Sequence, residues 1–371
     1  MDPAKPSLEL LRSLTDEHVL RALMRHRRLT RAELATETGI SKPTVGESVR
    51  RLTEAGQLVD TGERTAGGRG RGRVGSYYAL TDDIGVALAV SIAPEGVVAE
   101  CVDIHGDIVS RAEQVINRPA RPDDIAAALR AVARPVRLAV VSAADPVDRH
   151  TGKLVHLPDA PFLLGELDPG TVLAPHVDGP ITVDNDVNWA ARAERDNAPT
   201  PDDFAYLFLG EGLGCAIVSD GEVRRGHLGL AGEIAHLITE GPSGQAIRFI
   251  DVFGELGLRQ PHSTAIDVHR LLADTTSHHV IGRAVSGVLA AVVALADPQR
   301  IVIGGAWGSR PGMLDAIATA TADLPRDIPV QAAQVTGEPA LAGARLEALD
   351  RLRATVLAGR SFAQRQAAPA R

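Results

Sequence analysis

The stretch from residue 30 to residue 56 constrains the fold more than any other part of this chain, because it marks two helix starts and two helix ends. The Thr-Arg-Ala-Glu sequence at 30–33 is a capping box, in which two side chains satisfy backbone amides at a helix start. Gly39 suits the left-handed residue that ends this helix. Ser41 and Pro43 suit the cap and first turn of a second helix, which ends at Gly56. Two short helices joined by such a turn form a helix-turn-helix.

The second of these helices is predicted to enter the major groove of DNA, because the N-terminal residues of a recognition helix meet base edges. Val45, Val49 and Leu52 are expected to face the core. The predicted DNA contacts on this helix are Ser41, Lys42, Thr44, Glu47 and Ser48, with Arg50 and Arg51 nearer the phosphates.

Two predicted strands, at 58–59 and 77–80, flank a tip in which glycine and arginine alternate. Arginine suits a narrow, electronegative minor groove, and glycine lets the backbone approach DNA closely. The tip residues expected to contact DNA are Arg69, Arg71 and Arg73. A solvated arginine loop is the alternative interpretation of the tip alone. Together with the helix-turn-helix, the tip predicts a winged helix-turn-helix over 1–80 that binds a double-stranded DNA operator.

The charge distribution agrees with two parts that meet different partners. Residues 1–80 hold 14 Lys and Arg against 10 Asp and Glu, whereas the remaining 291 residues hold 25 against 37. The content of 44% hydrophobic residues and the mean hydropathy near zero predict a globular chain. No apolar run is expected to reach the roughly 18 residues of a membrane span. The start of the chain lacks the pattern of a signal peptide, so a cytoplasmic protein without a membrane partner is expected.

A polar cluster follows a short apolar run at 180–183 and precedes an alanine-rich stretch that favours a helix. The cluster is Asp184-Asn185-Asp186, so these residues are expected at a strand-to-helix junction, where ligands of open α/β sheets bind. A carboxylate there could accept a proton or a hydrogen bond from a substrate hydroxyl. The alternative is that Asp184 or Asn185 only caps the helix.

The rest of the chain predicts an α/β body of two β-β-β-α-like units around a cleft. The first unit has strands at 84–92, 97–102, 108–115 and 138–142 and a helix near 123–133. The second has strands at 204–209, 215–219 and 300–303, with helices at 245–258, 264–274 and 278–297.

Four segments in this body resemble motifs of the ROK family of repressors and sugar kinases. They are Asn-Asp-Val-Asn at 185–188, Leu-Ala-Gly-Glu-Ile-Ala-His at 230–236, the Asp-Pro strand at 296–305, and the passage at 146–159. The resemblance spans most of 84–350 and implies a two-lobed, actin-like ATPase and sugar-kinase fold. A winged helix-turn-helix in front of it is the layout of the repressor branch.

The segments that would hold nucleotide phosphates depart from the kinase pattern of the family. The first phosphate loop is replaced by a turn with Pro94 and Glu95, and the second carries Glu211 where the family has a hydroxyl. Proline has no amide hydrogen to donate, and both carboxylates repel phosphate. The sequence therefore predicts a protein that is not a kinase and has no cofactor.

The zinc site of the family is also incomplete. His236 is present, but the family spacing of the three cysteine ligands falls on Ala246, Arg248 and Phe253. Because structural zinc needs four ligands, no metal is predicted. Cys101 and Cys215 lie far apart and form no disulfide or metal pattern.

The sugar side, by contrast, largely follows the family. The resemblance implies sugar contacts at Asn185, Asp186, Glu233, His236 and Glu255, with Asp186 at the position of the kinase base. Asp159 replaces the usual asparagine of a sixth contact. Carboxylates, amides and imidazole suit vicinal hydroxyls because each accepts or donates in a fixed direction.

The resulting hypothesis is a transcriptional regulator, a repressor, that responds to a sugar or sugar derivative as a homodimer or dimer of dimers. Its domains are predicted at 1–80 and 81–358, with a frayed tail at 359–371. Two alternatives are an active sugar kinase with a DNA-binding appendage and a regulator whose pocket is vestigial. In the leading hypothesis the carboxylate of Asp186 accepts a hydrogen bond from a bound hydroxyl and catalyses nothing.

Overall fold

The computed structural model describes residues 8–65, 75–116, 119–130, 132, 135–157, 167–197 and 200–358. The predicted wing residues Arg69, Arg71 and Arg73, the predicted sugar contact Asp159 and the predicted tail at 359–371 lie outside them.

Between residues 8 and 80, the described residues of the N-terminal part form three helices and three strands. They are α1 (Leu8–His26), β1 (Arg28–Thr30), α2 (Arg31–Thr38), α3 (Lys42–Glu54), β2 (Leu58–Arg64) and β3 (Ser76–Leu80). The three strands form one sheet in the order β1-β3-β2. The capping box at the start of α2 is present in both directions, and Gly39 ends that helix at φ +70°. The Ser41 hydroxyl caps α3 by accepting from the Thr44 amide.

The helix α1 is continuous from Leu8 to His26, although a polar turn lies near its middle. The carboxylate of Asp16 accepts hydrogen bonds from the Ser48 hydroxyl and from Arg51, both on α3. These contacts between helices, which local sequence does not reveal, hold the polar turn of α1 in helical geometry.

The first lobe follows the winged part. It contains β4 (Val86–Ala93), β5 (Gly96–Val102), β6 (Ile108–Val115), α4 (Pro122–Arg130), β7 (Val136–Ala143), α5 (Pro169–Leu173), β8 (Ile181–Asn185) and α6 (Asp186–Asp196). Its five strands lie in the order β6-β5-β4-β7-β8. The strands β6, β5 and β4 pair antiparallel. The strand β7 pairs parallel with β4, and β8 pairs parallel with β7.

The second lobe repeats this arrangement. Its elements are β9 (Phe204–Leu209), β10 (Leu213–Ser219), β11 (Glu222–Val223), β12 (Ile238–Glu240), β13 (Ala246–Arg248), α7 (Phe249–Glu255), α8 (Val268–Ala273), α9 (His278–Ala296), β14 (Arg300–Gly304), α10 (Pro311–Thr321), β15 (Val330–Ala332) and α11 (Pro339–Leu357). The main sheet has the order β11-β10-β9-β14-β15, with β9, β10 and β11 antiparallel and β14 and β15 parallel to β9. The two predicted units are therefore present as two sheets of equal topology.

Two sequence predictions for the second lobe need correction. The helix predicted from 245 begins at Phe249, because Ala246–Arg248 pairs with Ile238–Glu240 as a β-hairpin. The segment Thr275–Ala296, which includes α9, contains an 18-residue window long and apolar enough to span a membrane by length and composition, which was not expected from the sequence among these residues. Half of that window is buried, and Thr239 and Ser286 tie the helix to its neighbours by hydrogen bonds to carbonyls. Its apolar character is that of a core helix.

The last helix, α11, leaves the second lobe and crosses the first. It packs on α6, β4 and β7, and a Cβ atom at Gly343 would lie 1.8 Å from the carbonyl oxygen of Trp189. Only glycine allows this close approach of two helices. Towards its C-terminus, Leu352 and Val356 belong to the same buried apolar cluster as Leu23 of the winged part. The core of the winged part is thus continuous with that of the first lobe through α11.

Candidate functional site

A cavity of about 550 Å³ lies in the cleft between the two lobes. It is enclosed by the β4–β5 turn, the start of α6, the β9–β10 turn, the segment at 229–236 and the start of α11. The volume lies in the range of pockets for small ligands. The carboxylates on its wall belong to Glu95, Glu113, Asp145, Asp186, Glu211, Glu233 and Glu338.

Asp184 at the strand-to-helix junction has a structural role. It is buried and accepts hydrogen bonds from the Asn185 amide and from Asn188, both at 2.8 Å. It also accepts from Arg225 in an ion pair. Because its oxygens are engaged within the protein, Asp184 holds the junction in place.

Asn185 combines the two roles that the sequence left open. Its side-chain oxygen accepts from the Val187 amide at 2.9 Å and so caps α6. Its amide nitrogen donates to the carbonyl oxygen of Asp145 at 3.1 Å, while the residue also lines the cavity. One amide hydrogen and one lone pair remain for a ligand.

Asp186 begins α6 and presents a half-buried carboxylate to the cavity. One oxygen accepts from the Val187 amide at 2.8 Å. Burial, together with the nearby charges of Glu233 and Glu95, raises the pKa of Asp186 to about 7. Near neutral pH this group can therefore either donate or accept a hydrogen bond.

The segment at 229–236 brings two further predicted contacts, Glu233 and His236, to the wall of the cavity. Gly232 has φ +99°, and a Cβ atom there would lie 1.8 Å from the carbonyl oxygen of Cys215. This close contact, with the buried side chain of Ile234, fixes the segment against β10. Burial raises the pKa of Glu233 to about 7.

The two turns at the phosphate positions of the family also reach the cavity. Pro94 and Glu95 form a two-residue turn between β4 and β5, and Glu211 lies in the β9–β10 turn, where the Gly210 amide donates to the carbonyl oxygen of Gly212. Burial, and after it the charge of Glu95, raises the pKa of Glu211. A phosphate placed here would meet two carboxylates.

Glu255 is not part of this site. It is exposed at the end of α7, accepts a hydrogen bond from Gln245 at 2.5 Å, and is absent from the wall of the cavity. The prediction that it contacts a sugar is wrong for this geometry. The positions expected for the zinc ligands lie in β13 and α7, and the carboxylate of Glu255 accepts from Gln245 in the turn of the β12–β13 hairpin. Within the described residues, no three His, Cys, Asp or Glu side chains converge as a metal site would require.

Three cavity carboxylates were not anticipated from the sequence, namely those of Glu113, Asp145 and Glu338. The Gly-Glu-Pro sequence at 337–339 carried a signal, because proline favours the first turn of a helix. Nothing in it indicated that this helix would begin at the cleft. Glu113 lies on the β6 edge of the first sheet, and only the assembled lobes bring it to the wall.

Five of the seven residues predicted to contact DNA from α3 and its cap are exposed. The exposed residues are Ser41, Lys42, Thr44, Glu47 and Arg50. Arg50 forms ion pairs with Glu47 and Glu54 along the exposed face of the helix. Such exposed pairs are weak, so they can be exchanged for contacts to phosphate.

Two residues of α3 face inward and correct the prediction. Ser48 is fully buried and donates to Asp16 at 2.5 Å, so it cannot meet a base edge in this structure. Arg51 pairs with the same carboxylate at 2.6 Å, and its side chain is 28% exposed. The helical spacing of Ser48 from Val45 and Leu52 was a signal of its inward direction.

Comparisons with known proteins agree with both parts of the chain. The model of the ROK family matches residues 123–249, and a model described as winged helix-turn-helix DNA-binding matches residues 12–59. The bifunctional enzyme NanE/NanK of Brucella melitensis is 30% identical over 159 residues, which are 38% of this chain and 29% of that protein. The xylose repressor of Bacillus subtilis is 20% identical over 239 residues, which are 61% of each chain. The chain thus spans less than two thirds of the length of these curated relatives.

Among solved structures, the chain resembles a ROK family transcriptional regulator described as a homologue of the Escherichia coli MLC protein. The TM-score is 0.61 at 19% identity, over 94% of this chain and 98% of the other. At that identity the likeness establishes the fold, and it extends over the winged part as well as both lobes.

Proposed function

We propose that this chain regulates transcription by binding DNA in response to a sugar or sugar derivative. It carries a ROK family domain behind an N-terminal winged helix-turn-helix. The two matching family models confirm the predicted family resemblance. The solved regulator structure confirms the predicted fold, a winged helix-turn-helix followed by a two-lobed, actin-like sugar-kinase fold. We retain 1–80 and 81–358 as the proposed domains, with the cytoplasm as the site of action.

The DNA-binding half of the proposal rests on the exposed start of α3. The N-terminal turn of this helix carries Ser41, Lys42 and Thr44 at the surface, while the buried Val45 and Val49 anchor it to the core. In this geometry the first turns of α3 can enter a major groove. We assign base contacts to Ser41, Thr44 and Glu47, and phosphate contacts to Lys42 and Arg50.

The sensing half rests on the cavity. Asn185, Asp186, Glu233 and His236 come from two separate segments and meet on its wall. Their amide, carboxyl and imidazole groups can each accept or donate to hydroxyls in fixed directions. We propose that a polyol binds there and favours one degree of closure of the two lobes.

The observation that carries the whole proposal is the path of α11 from the cavity to the winged part. Its first residues, with Glu338 before them, line the cavity. At its far end the Val356 carbonyl accepts from Gln57 at 3.1 Å, and Arg353 donates to the carbonyl oxygens of Ile104 and His105. The His105 ring in turn contacts the carbonyl oxygen of Met24 at 3.1 Å. A shift of α11 on ligand binding therefore reaches α1 through direct contacts.

We infer that the protein does not transfer phosphoryl groups. Phosphoryl transfer depends on donors and cations that stabilise the γ-phosphate oxygens. Here Pro94 supplies no amide hydrogen, and Glu95 and Glu211 place negative charge at the two phosphate turns. One feature favours the kinase alternative: burial raises the pKa of Asp186, at the base position, to about 7, which suits a general base. Phosphorylation of a hexose by ATP, abolished in Asp186→Asn, would establish that alternative.

The test of the regulatory function is selection of DNA duplexes from a random pool by the purified full chain at about 150 mM salt. We expect one enriched sequence with two half-sites, because a homodimer presents two recognition helices related by symmetry. Light scattering on the free and bound protein then gives the number of chains per operator. Absence of any sequence preference would refute the proposal, and a change in DNA affinity with a sugar would identify the effector.

A further inference from the structure

The charged residues on the wall of the cavity have one sign. Its lining contains seven carboxylates and the imidazole of His236, and no lysine or arginine is among the lining residues that the structure describes. These carboxylates come from several elements of the two lobes, including the β4–β5 turn, α6, the β9–β10 turn and the segment at 229–236. A ligand that enters therefore meets negative charge from both sides.

Only part of this charge is compensated by cations outside the cavity. Arg111 lies 2.9 Å from Glu338 and 3.8 Å from Glu113. By contrast, no ion pair to Lys or Arg is formed, within the described part of the chain, by Glu95, Asp186, Glu211 and Glu233. These four are named the uncompensated carboxylates of the described site, and Asp145, which is buried, is not counted among them.

The four uncompensated carboxylates act on one another across a common volume. The charge of Glu95 raises the pKa of both Asp186 and Glu211, and the charge of Glu233 raises that of Asp186. Like charges brought together in a half-buried cleft oppose each other, and a cation placed between them relieves that repulsion. An anionic ligand would add to it.

We propose that the ligand of this cavity is a polyol carrying an ammonium group, such as an amino sugar or an aminocyclitol, with the ammonium held among Glu95, Asp186 and Glu211. Its hydroxyls contact Asn185, Glu233 and His236. The inference rests on the proposed sensing function and adds the charge of the ligand. It also excludes sugar phosphates, whose dianion would face the same three carboxylates.

The geometry gives each part of such a ligand a partner. An ammonium is a compact donor of three hydrogen bonds, and carboxylates from three different elements can accept one each. The hydroxyl side is more selective, because Asn185 has one amide hydrogen left after it caps α6 and bonds to Asp145. The cavity of about 550 Å³ also accommodates an aminocyclitol.

The test is calorimetry at pH 7 on the purified full chain with matched ligands. The probes are D-glucosamine, D-galactosamine and D-mannosamine, each compared with its parent hexose, its N-acetyl derivative and its 6-phosphate. We expect at least one amine to bind about tenfold or more tightly than its hexose and its N-acetyl derivative, equivalent to about 1.4 kcal/mol. The 6-phosphates should bind least.

Two variants identify the carboxylates responsible. Glu95→Gln and Glu211→Gln keep the size of each side chain and remove its charge, so we expect each to reduce the ratio of the affinity for the amine to the affinity for its parent hexose. Glu113→Gln is the matched control, because Arg111 already lies beside that carboxylate. It should leave the preference unchanged.

The outcomes separate this inference from the proposed function. If a parent hexose binds and alters DNA affinity but every amine binds no better, the charge assignment is wrong and the regulatory function stands. The charge assignment is equally wrong if the preference persists in the Glu95→Gln/Glu211→Gln double variant, or if no member of the panel binds. Failure of the DNA selection refutes the regulatory function independently of these results.

Discussion

Arg111 donates to Glu338 at 2.9 Å and, through the other arm of its guanidinium, to Glu100 at 2.5 Å. Glu100 is 1% exposed and also accepts from Arg345 on α11 at 2.6 Å. This chain of charges ties the first residues of α11 to the antiparallel side of the first sheet. Because Glu338 also lines the cavity, the proposed ligand would lie beside the anchor of the helix that reaches the winged part.

We expect Glu338→Gln to weaken the response of DNA binding to the effector while leaving DNA affinity without effector nearly unchanged. The substitution removes the charge that holds Arg111 but leaves the buried Glu100 paired with both guanidiniums, so the fold is retained. The free energy that couples two binding sites in a protein is about 1–3 kcal/mol in general. Glu338→Gln should lose a large part of the coupling free energy between the effector and DNA. Titrations of operator DNA with and without a ligand found by calorimetry measure the difference. Unchanged coupling would exclude Glu338 from the path.

The recognition helix makes a separate prediction about salt. Lys42→Ala should weaken binding to all DNA sequences alike. The logarithm of the DNA association constant falls linearly with the logarithm of salt concentration, and the magnitude of that slope should decrease by about 0.9, the value for one phosphate contact. Lys153→Ala is the control, because Lys153 is similarly exposed but lies on the first lobe. Equal slopes for the two variants would show that Lys42 meets no phosphate.

A third prediction concerns the crossing of α11 and α6. Gly343→Ala should destabilise the fold by about 2–3 kcal/mol, because the new methyl group would overlap the carbonyl oxygen of Trp189 in a packed core. Gly46→Ala is the matched control in α3, where a Cβ atom meets nothing within 4 Å. There the better helix propensity of alanine should raise stability by up to about 1 kcal/mol. Urea denaturation of both variants measures the two changes, and a stable Gly343→Ala variant would mean that the helices can separate at little cost.

Local signals predicted the parts of the fold that depend on neighbouring residues. The capping box at 30–33, Gly39 and the Ser41 cap define the two helices without any tertiary contact, and each is present. The direction of Ser48 was also recoverable from its spacing, whereas the pairing of Arg51 with Asp16 depends on how α1 crosses α3.

The candidate site shows the same division. The resemblance placed Asn185, Asp186, Glu233 and His236 in one site, and the structure brings these four together. It failed for Glu255, whose carboxylate accepts from Gln245 of the β12–β13 hairpin and does not line the cavity. The contribution of Glu338 could not be foreseen, since it follows from the return of α11 across both lobes.

The last prediction is that removing the charge of Asp186 stabilises the protein, and more so at high pH. Burial and two nearby carboxylates raise its pKa to about 7 in the folded chain, above the value of about 4 for an unfolded aspartate. An acid whose folded pKa is raised binds more protons when folded, so its stability contribution is lost as pH rises from about 4 to about 7.

Asp186→Asn cannot ionise and avoids this loss. We expect it to exceed the parent chain in stability by on the order of 1 kcal/mol at pH 8, less than the full pKa shift implies because the side chain is only half-buried. The difference should shrink at pH 5, where the parent carboxyl is mostly protonated when folded. Thermal denaturation at the two pH values measures it, with Asp196→Asn on the outer end of α6 as the control. If Asp186→Asn differed from the parent chain in stability by the same amount at pH 5 and pH 8, the carboxylate of Asp186 would not be destabilised by burial and by the neighbouring carboxylates.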